Sequence, residues 1–188
     1  MKALSDNALM LKVKNGDLDK LGQLFERYKK PLYGFFYGLT RQQDVSEDLI
    51  QNTFFRILKY RHLFREQAES NGGEFRAWMF HIARNVHFDQ HRKKKLISDD
   101  LENWQDRIGH TENKATEIQQ TEELQLLAVA MDKLPLEKRE IILLSKYEEM
   151  KYNEIGEVLG CSEGAVKVKV FRALQELKAI YKQLERIN

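Results

Sequence analysis

Cations interleaved with aromatic rings are the residues in this chain best suited to chemistry, and they lie in two places. Along residues 75–95, Phe80, Arg84, His87, Phe88, His91, Arg92 and Lys95 share a helical face opposite a stripe of Trp78, Met79, Ile82, Ala83 and Val86. Guanidinium and ammonium groups hold phosphates and exposed rings accept unstacked bases, so such a face suits a single strand of nucleic acid. The bland alternative is packing of those rings against neighbouring helices, Trp78 and Phe80 first among them. The second place is Tyr152–Leu177. There Ile155, Gly156, Leu159, Gly160 and Val166 have helix-turn-helix spacing: a small residue where two helices touch, a glycine in the turn, then an apolar anchor. Ser162 can cap the second helix, and Val166, Val170, Leu174 and Leu177 form its inner stripe. Glu163, Lys167, Val168, Phe171 and Arg172 remain outside. In DNA-binding versions this second helix enters the major groove. A plain helical hairpin is the other reading, and an exposed Phe171 beside Arg172 argues against it.

Other chemistries find little support. His87 and His91 stand four apart, as metal ligands on a helix do, but Phe88 lies between them and no third ligand is near. The pair reads as solvated or phosphate-facing, with no metal. Cys161 has no neighbouring base and reads as packing. Neither a GxxxxGK loop nor a nucleophile elbow occurs, so no catalytic residue and no cofactor are expected. One cysteine among 188 residues excludes a disulfide framework. No apolar run reaches the ~18 residues of a membrane span, and Lys12 and Lys14 interrupt any signal-peptide core.

Helices must position these residues. Only 2 prolines and 10 glycines occur, 42% of residues are hydrophobic, and the apolar spacing is helical almost throughout. The expectation is an all-α chain of two small helical domains. A short helix is expected over Ser5–Val13. A longer one begins near Asp17, buries Leu24, Tyr28 and Leu32, and is kinked or divided at Pro31. Asp44 and Glu47 look like a capping-box variant opening a third helix. Asn71-Gly72-Gly73 marks a loop before the aromatic-basic helix. Residues 96–122 read as an acidic, partly disordered linker with Trp104 and Ile108 as its apolar exceptions, the tryptophan docking on something. Helical pattern resumes through Leu124, Leu127 and Met131, and Pro135 suits the first turn of the next helix. Charge follows this division: residues 1–95 hold 18 basic and 11 acidic side chains, whereas 96–123 hold 2 and 8. A basic first half behind an acidic stretch points to nucleic acid, although the formal net charge is only +2.

With both stretches in view, the chain resembles the extracytoplasmic-function sigma factors of bacterial RNA polymerase. Asp48-Leu49-Ile50-Gln51-Asn52-Thr53-Phe54, then Phe75-Arg76-Ala77-Trp78-Met79-Phe80-His81-Ile82-Ala83-Arg84-Asn85, Asp89 and the run from Arg92 look like the second sigma region. Leu134-Pro135 and Glu154–Leu177 look like the fourth. The resemblance implies sigma region 2 over residues 1–95, a linker over 96–122 and sigma region 4 over 123–188. It implies a polymerase subunit, not a free-standing enzyme, acting in the bacterial cytoplasm at the nucleoid. Asp48, Gln51, Asn52 and Phe55 would bind the polymerase clamp helices, and the fourth region its flap. Arg56, Phe64 and Asn85 match the pocket for a flipped base of the minus-ten element. Phe80, Arg84, Phe88, His91, Arg92 and Lys95 would hold the rest of that single strand. Ser162, Lys167, Val168, Lys169, Phe171 and Arg172 would face the minus-thirty-five element. Ala165 stands where the family often has threonine and Val168 where it is commonly polar. Readout there rests on Arg172, methyl contacts and phosphate grip.

Besides polymerase and promoter DNA, the resemblance implies an anti-sigma factor as a partner, and Ala165 with Val168 point to a DNA-bound recruiting protein that offsets a weakly reading helix. No membrane insertion is expected. The alternatives are a helix-turn-helix regulator that does not replace a sigma factor and, further off, a helical adaptor or antagonist.

Overall fold

The structure is a computed structural model that describes residues 4–66, 73–99 and 122–186, with side chains only to residue 92 in the second stretch. Every regular element among the described residues is helical. The first lobe contains α1 (Asp6–Lys14), α2 (Asp19–Thr40), α3 (Gln43–Tyr60), a 3₁₀ turn (Arg61–Leu63) and α4 (Glu74–Asp99). The second contains α5 (Glu122–Lys133), α6 (Leu136–Ile142), a π turn (Leu143–Tyr147), α7 (Tyr152–Leu159) and α8 (Glu163–Glu185). Trp104 and Ile108 lie outside the described residues, as does most of the expected linker.

Local chemistry accounts for most boundaries. Ser5 Oγ accepts from the Ala8 N–H and so caps α1. Pro31 does not divide α2, which runs on to Thr40. Asp44 does not open α3 as a cap, because the helix already begins at Gln43 without a side-chain cap. Instead the Thr40 hydroxyl accepts from the Gln42 N–H at 3.2 Å, and Ser46 Oγ donates to the Gln42 carbonyl at 2.6 Å. Gly160 ends α7 in the left-handed region at φ +67, and Ser162 Oγ accepts from the Ala165 N–H to start α8. A Cβ on Gly156 would sit 2.6 Å from the Cys161 carbonyl oxygen, so glycine there lets α7 and the turn touch.

Buried Leu24, Leu32, Phe35, Phe36, Leu49, Ile57, Phe75 and Met79 fill the first lobe. Asn7 on α1 locks the start of α4: its amide donates to the Glu74 carboxylate, and its carbonyl accepts from the Phe75 N–H at 3.0 Å. Met131, Ile141, Leu144, Ile155, Val158, Val166 and Val170 fill the second lobe. The lobes lie against each other, with α4 along α7 and α2 along α6 and the π turn.

Candidate nucleic-acid interface

α4 carries the aromatic-basic stretch, yet it is packed on two sides. One side meets α1 and α3, the other meets α7. Phe80 is fully buried, edge-on to Phe35 with ring centroids 5.4 Å apart. Phe64 is 1% exposed and packs on Phe75 and Trp78. Neither ring is presented to a base, which corrects the expectation for both. His87 is also buried and sits edge-on to Phe88 at 5.5 Å, so it is not half of a solvated pair.

The arginines of this helix have partners. Arg84 Nε lies 2.9 Å from Glu140 Oε1 on α6, off the hydrogen-bonding axis, and its guanidinium sits over the Phe88 ring at 4.6 Å. Glu140 is only 2% exposed, and burial pushes its carboxyl above the ordinary range although Arg84 pulls it down. Arg76 reaches the Glu148 carbonyl, with the Glu148 carboxylate at 3.6 Å; that carboxyl too is raised by burial against the pull of Arg76. Arg56 pairs with Asp89 at 2.7 Å, and Arg92 extends into solvent 3.6 Å from the same carboxylate. Asn85 Nδ2 meets His81 Nε2 at 3.1 Å, while His81 Nδ1 meets the Val158 carbonyl of α7 at 3.2 Å. His91 is exposed, and the Lys95 side chain lies outside those described.

The expected base pocket of Arg56, Phe64 and Asn85 is therefore not one cavity. A cleft of about 320 Å³ opens instead beside the 3₁₀ turn, lined by Leu63, Arg65, Trp78 and His81, with buried Phe64 as part of its wall. Glu157 of α7 closes one side of it. Burial, then Glu74 and Glu154, raise the Glu157 carboxyl. Sequence reading missed Arg65 and His81, and it placed Trp78 in the core stripe. Lys14 Nζ steadies the cleft by donating to the Phe64 carbonyl at 2.7 Å.

α8 presents its outer face freely. Lys167, Val168, Lys169, Phe171 and Arg172 are all exposed, while Val166, Val170 and Ala173 are buried beneath them. On α3, Asp48, Gln51, Asn52 and Phe55 form a second exposed face, with Phe55 at 65%. Gly38 decides how closely the lobes approach: a Cβ there would sit 2.6 and 2.8 Å from the two Leu143 methyls. Arg41 binds Asp132 at 2.7 Å and Arg139 donates to the Leu39 carbonyl at 3.3 Å across the same seam.

Known proteins match this arrangement over nearly all of its length. The family model for sigma-70 region 2 matches residues 24–97, and that for sigma-70 region 4 matches residues 124–177. The ECF RNA polymerase sigma factor SigM of Bacillus subtilis is 31% identical, over 86% of this chain and 94% of the relative. The RNA polymerase sigma factor CarQ of Myxococcus xanthus is 26% identical over 94% and 97%. Among solved structures, CnrH in complex with the cytosolic domain of CnrY shares the fold with a TM-score of 0.69 at 24% identity, covering 95% of this chain and 97% of that one. The sigma factor RpoE in complex with the anti-sigma factor NepR from Bartonella quintana gives 0.65 at 25% identity, covering 86% and 96%. A regulator that shared only the helix-turn-helix would match in the second lobe alone. Both lobes match in order, and the chain belongs to the extracytoplasmic-function sigma factors of RNA polymerase.

Proposed function

We propose that the chain divides its work between its lobes, with residues 1–95 as the polymerase-binding and minus-ten lobe and 123–188 as the minus-thirty-five lobe. As a sigma factor it binds core RNA polymerase, recognises promoter DNA and initiates transcription by opening the minus-ten region. The observation that carries this division is the contrast between two surfaces. α8 offers an uncovered basic face on a capped helix-turn-helix, the geometry that enters a major groove. α4 lines, with Trp78 and His81, a cleft of about 320 Å³ that Arg65 borders and that is large enough for one base.

Asp48, Gln51, Asn52 and Phe55 of α3 would meet the clamp helices, and α8 would bring the second lobe to the flap. Arg65, Trp78 and His81 would hold the unpaired base, with Arg84, Phe88, His91, Arg92 and Lys95 along the strand. Because Glu157 of α7 closes one side of that cleft and Glu140 engages Arg84, the lobes must part before α4 meets DNA. An anti-sigma partner is supported by the structural relative RpoE of Bartonella quintana, solved in complex with the anti-sigma factor NepR. The protein is regulatory, working by binding alone, in the cytoplasm at the nucleoid. No described helix is long and apolar enough to cross a membrane. A recruiting protein bound upstream would be needed only where α8 reads its element weakly.

Transcription from a randomised promoter library with purified core polymerase tests this reading, alongside pull-down of an Asp48→Arg, Gln51→Ala variant. The variant should lose core binding roughly tenfold or more, since an arginine opposes a basic clamp surface. Wild-type core binding would remove α3 from the interface.

A further inference from the structure

Helix α1 precedes residues 24–97, the stretch that matches sigma-70 region 2, yet two of its side chains grip the walls of the cleft. Buried Leu9, Met10 and Val13 fix α1 in the core, which makes it a firm base for such contacts. Lys14 Nζ donates to the Phe64 carbonyl at 2.7 Å. That oxygen shares one planar peptide unit with the Arg65 N–H, so holding it fixes the plane from which Arg65 leaves the chain. The 3₁₀ turn before it buries none of its residues. Packing therefore reaches this rim through the Phe64 ring, and the Lys14 bond sets its direction.

Asn7 works on the wall that α4 supplies. Its buried carbonyl takes the Phe75 N–H at 3.0 Å, one of the first-turn donors that a helix cannot satisfy by itself. Its amide donates to the Glu74 carboxylate, and Glu74 lines the cleft. The same amide reaches Glu66 Oε1 at 3.3 Å, which ties the residue after Arg65 to the start of α4. Trp78 and His81 line the cleft from the turns that follow. Neither Asn7 nor Lys14 lines it.

We propose that Asn7 and Lys14 are positioning residues for promoter opening, which hold the two walls of the cleft in place before DNA arrives. This rests on the reading of the cleft as the site of the unpaired base and adds what shapes it. A preformed cleft spares the captured base the cost of ordering Arg65 and the first turn of α4. Both residues act on the base only through the side chains they place.

Holoenzyme assembled from core polymerase and the full chain is the sample, on a promoter recovered from a randomised library. Each base of the minus-ten non-template strand is replaced in turn by an abasic site. Permanganate footprinting reads the rate of opening, and duplex binding is measured separately. At the captured position the abasic site should slow opening by the wild type roughly tenfold. Lys14→Met keeps the half-buried stem and deletes the donor. It should slow opening of the intact promoter roughly tenfold, as the loss of a hydrogen bond from a charged group does, with core binding, duplex binding and thermal melting nearly unchanged. On the abasic promoter it should add little further loss, and Lys14→Arg, which keeps a donor, should restore opening. Asn7→Asp keeps the acceptor for Phe75 and turns the amide into a carboxylate facing Glu74, and should show the same dependence on the base. Should that buried substitution unfold the lobe, the Lys14 variants decide.

Normal opening by Lys14→Met overturns the proposal, as does a Lys14→Arg variant that opens as slowly. So do equal losses from Lys14→Met on intact and abasic promoters, which would show that the residue does not act through the base. If neither an abasic site nor Arg65→Ala affects opening, the reading of the cleft itself fails. If both matter and Lys14→Met does not, only the role of α1 fails.

Discussion

Replacing Gly38 with alanine should part the lobes while strengthening the helix that carries it. Within α2, glycine costs about 0.8–1 kcal/mol relative to alanine, so on propensity alone the substitution stabilises the first lobe. Across the seam the sign reverses. The new Cβ would sit 2.6 and 2.8 Å from the Leu143 methyls and 3.3 Å from Leu143 Cγ. Leu143 is itself buried, so its side chain has little room to swing away. Overpacking of this kind costs about 1–3 kcal/mol, which moves the closed-to-open ratio roughly 5- to 150-fold toward open. The helix gain applies to both forms and cancels from that ratio. Spin labels at exposed Gln23 and Lys178 in a Cys161→Ser background would report the distance between α2 and α8. The wild type should give one narrow distance distribution and Gly38→Ala a broadened, longer population. Adding Leu143→Ala frees the clashing volume, so the double variant should open less than the sum of the single effects. An unchanged distance with a raised melting temperature would show that only helix propensity responds to residue 38, and the seam as described would be wrong.

Two further outcomes follow from burial. Phe64→Ala removes a core ring and should destabilise the fold by about 3–5 kcal/mol, whereas Arg65→Ala at the cleft rim should leave thermal melting nearly unchanged and weaken promoter opening roughly tenfold. Circular dichroism and permanganate footprinting separate the two, and normal opening by Arg65→Ala would empty the cleft of its role. Closure should also respond to pH: burial between the lobes raises the Glu140 and Glu148 carboxyls, so the closed form takes up protons relative to the open one. Closure is then favoured as pH falls from neutrality toward the carboxylate range and weakens as pH rises through the raised values. The same label pair, read from pH 8 to pH 5, would refute this by lengthening on acidification.

The helix-turn-helix was legible because its constraints are local. Gly160 must enter the left-handed region, Gly156 must admit a carbonyl, and Ser162 must cap, all within a few residues of one another. The two all-helical lobes were legible for the same reason, since apolar spacing sets each helix separately. What α4 does with its second face was not. Helical periodicity assigns Phe80, His87 and Arg84 to positions around the axis, but it does not say that α3 and α7 cover both sides. The Arg84–Glu140 contact joins residues from different lobes, and no spacing rule connects them. Phe64 misled for a related reason: a ring in a connecting segment reads as available until Phe75 and Trp78 are seen to enclose it. The Asp44 cap failed because α3 already begins at Gln43, with Thr40 and Ser46 supplying the side-chain hydrogen bonds to the Gln42 backbone.

Closure and promoter contact draw on the same charges. Arg84 cannot hold a phosphate while Glu140 lies 2.9 Å away, and Arg76 is likewise held by Glu148. The second lobe thus offers the first a set of carboxylates where DNA would offer phosphates. The two competitors differ in their response to salt. Contacts to a duplex or strand release condensed counterions and weaken steeply as ionic strength rises. Glu140 is buried in the seam, where screening reaches a charge pair poorly. Raising salt therefore weakens the open, DNA-bound form more than the closed form. A strand of DNA alone competes poorly with such a seam, and the binding of core polymerase to α3, on a face the seam leaves exposed, is what can tip the balance toward opening.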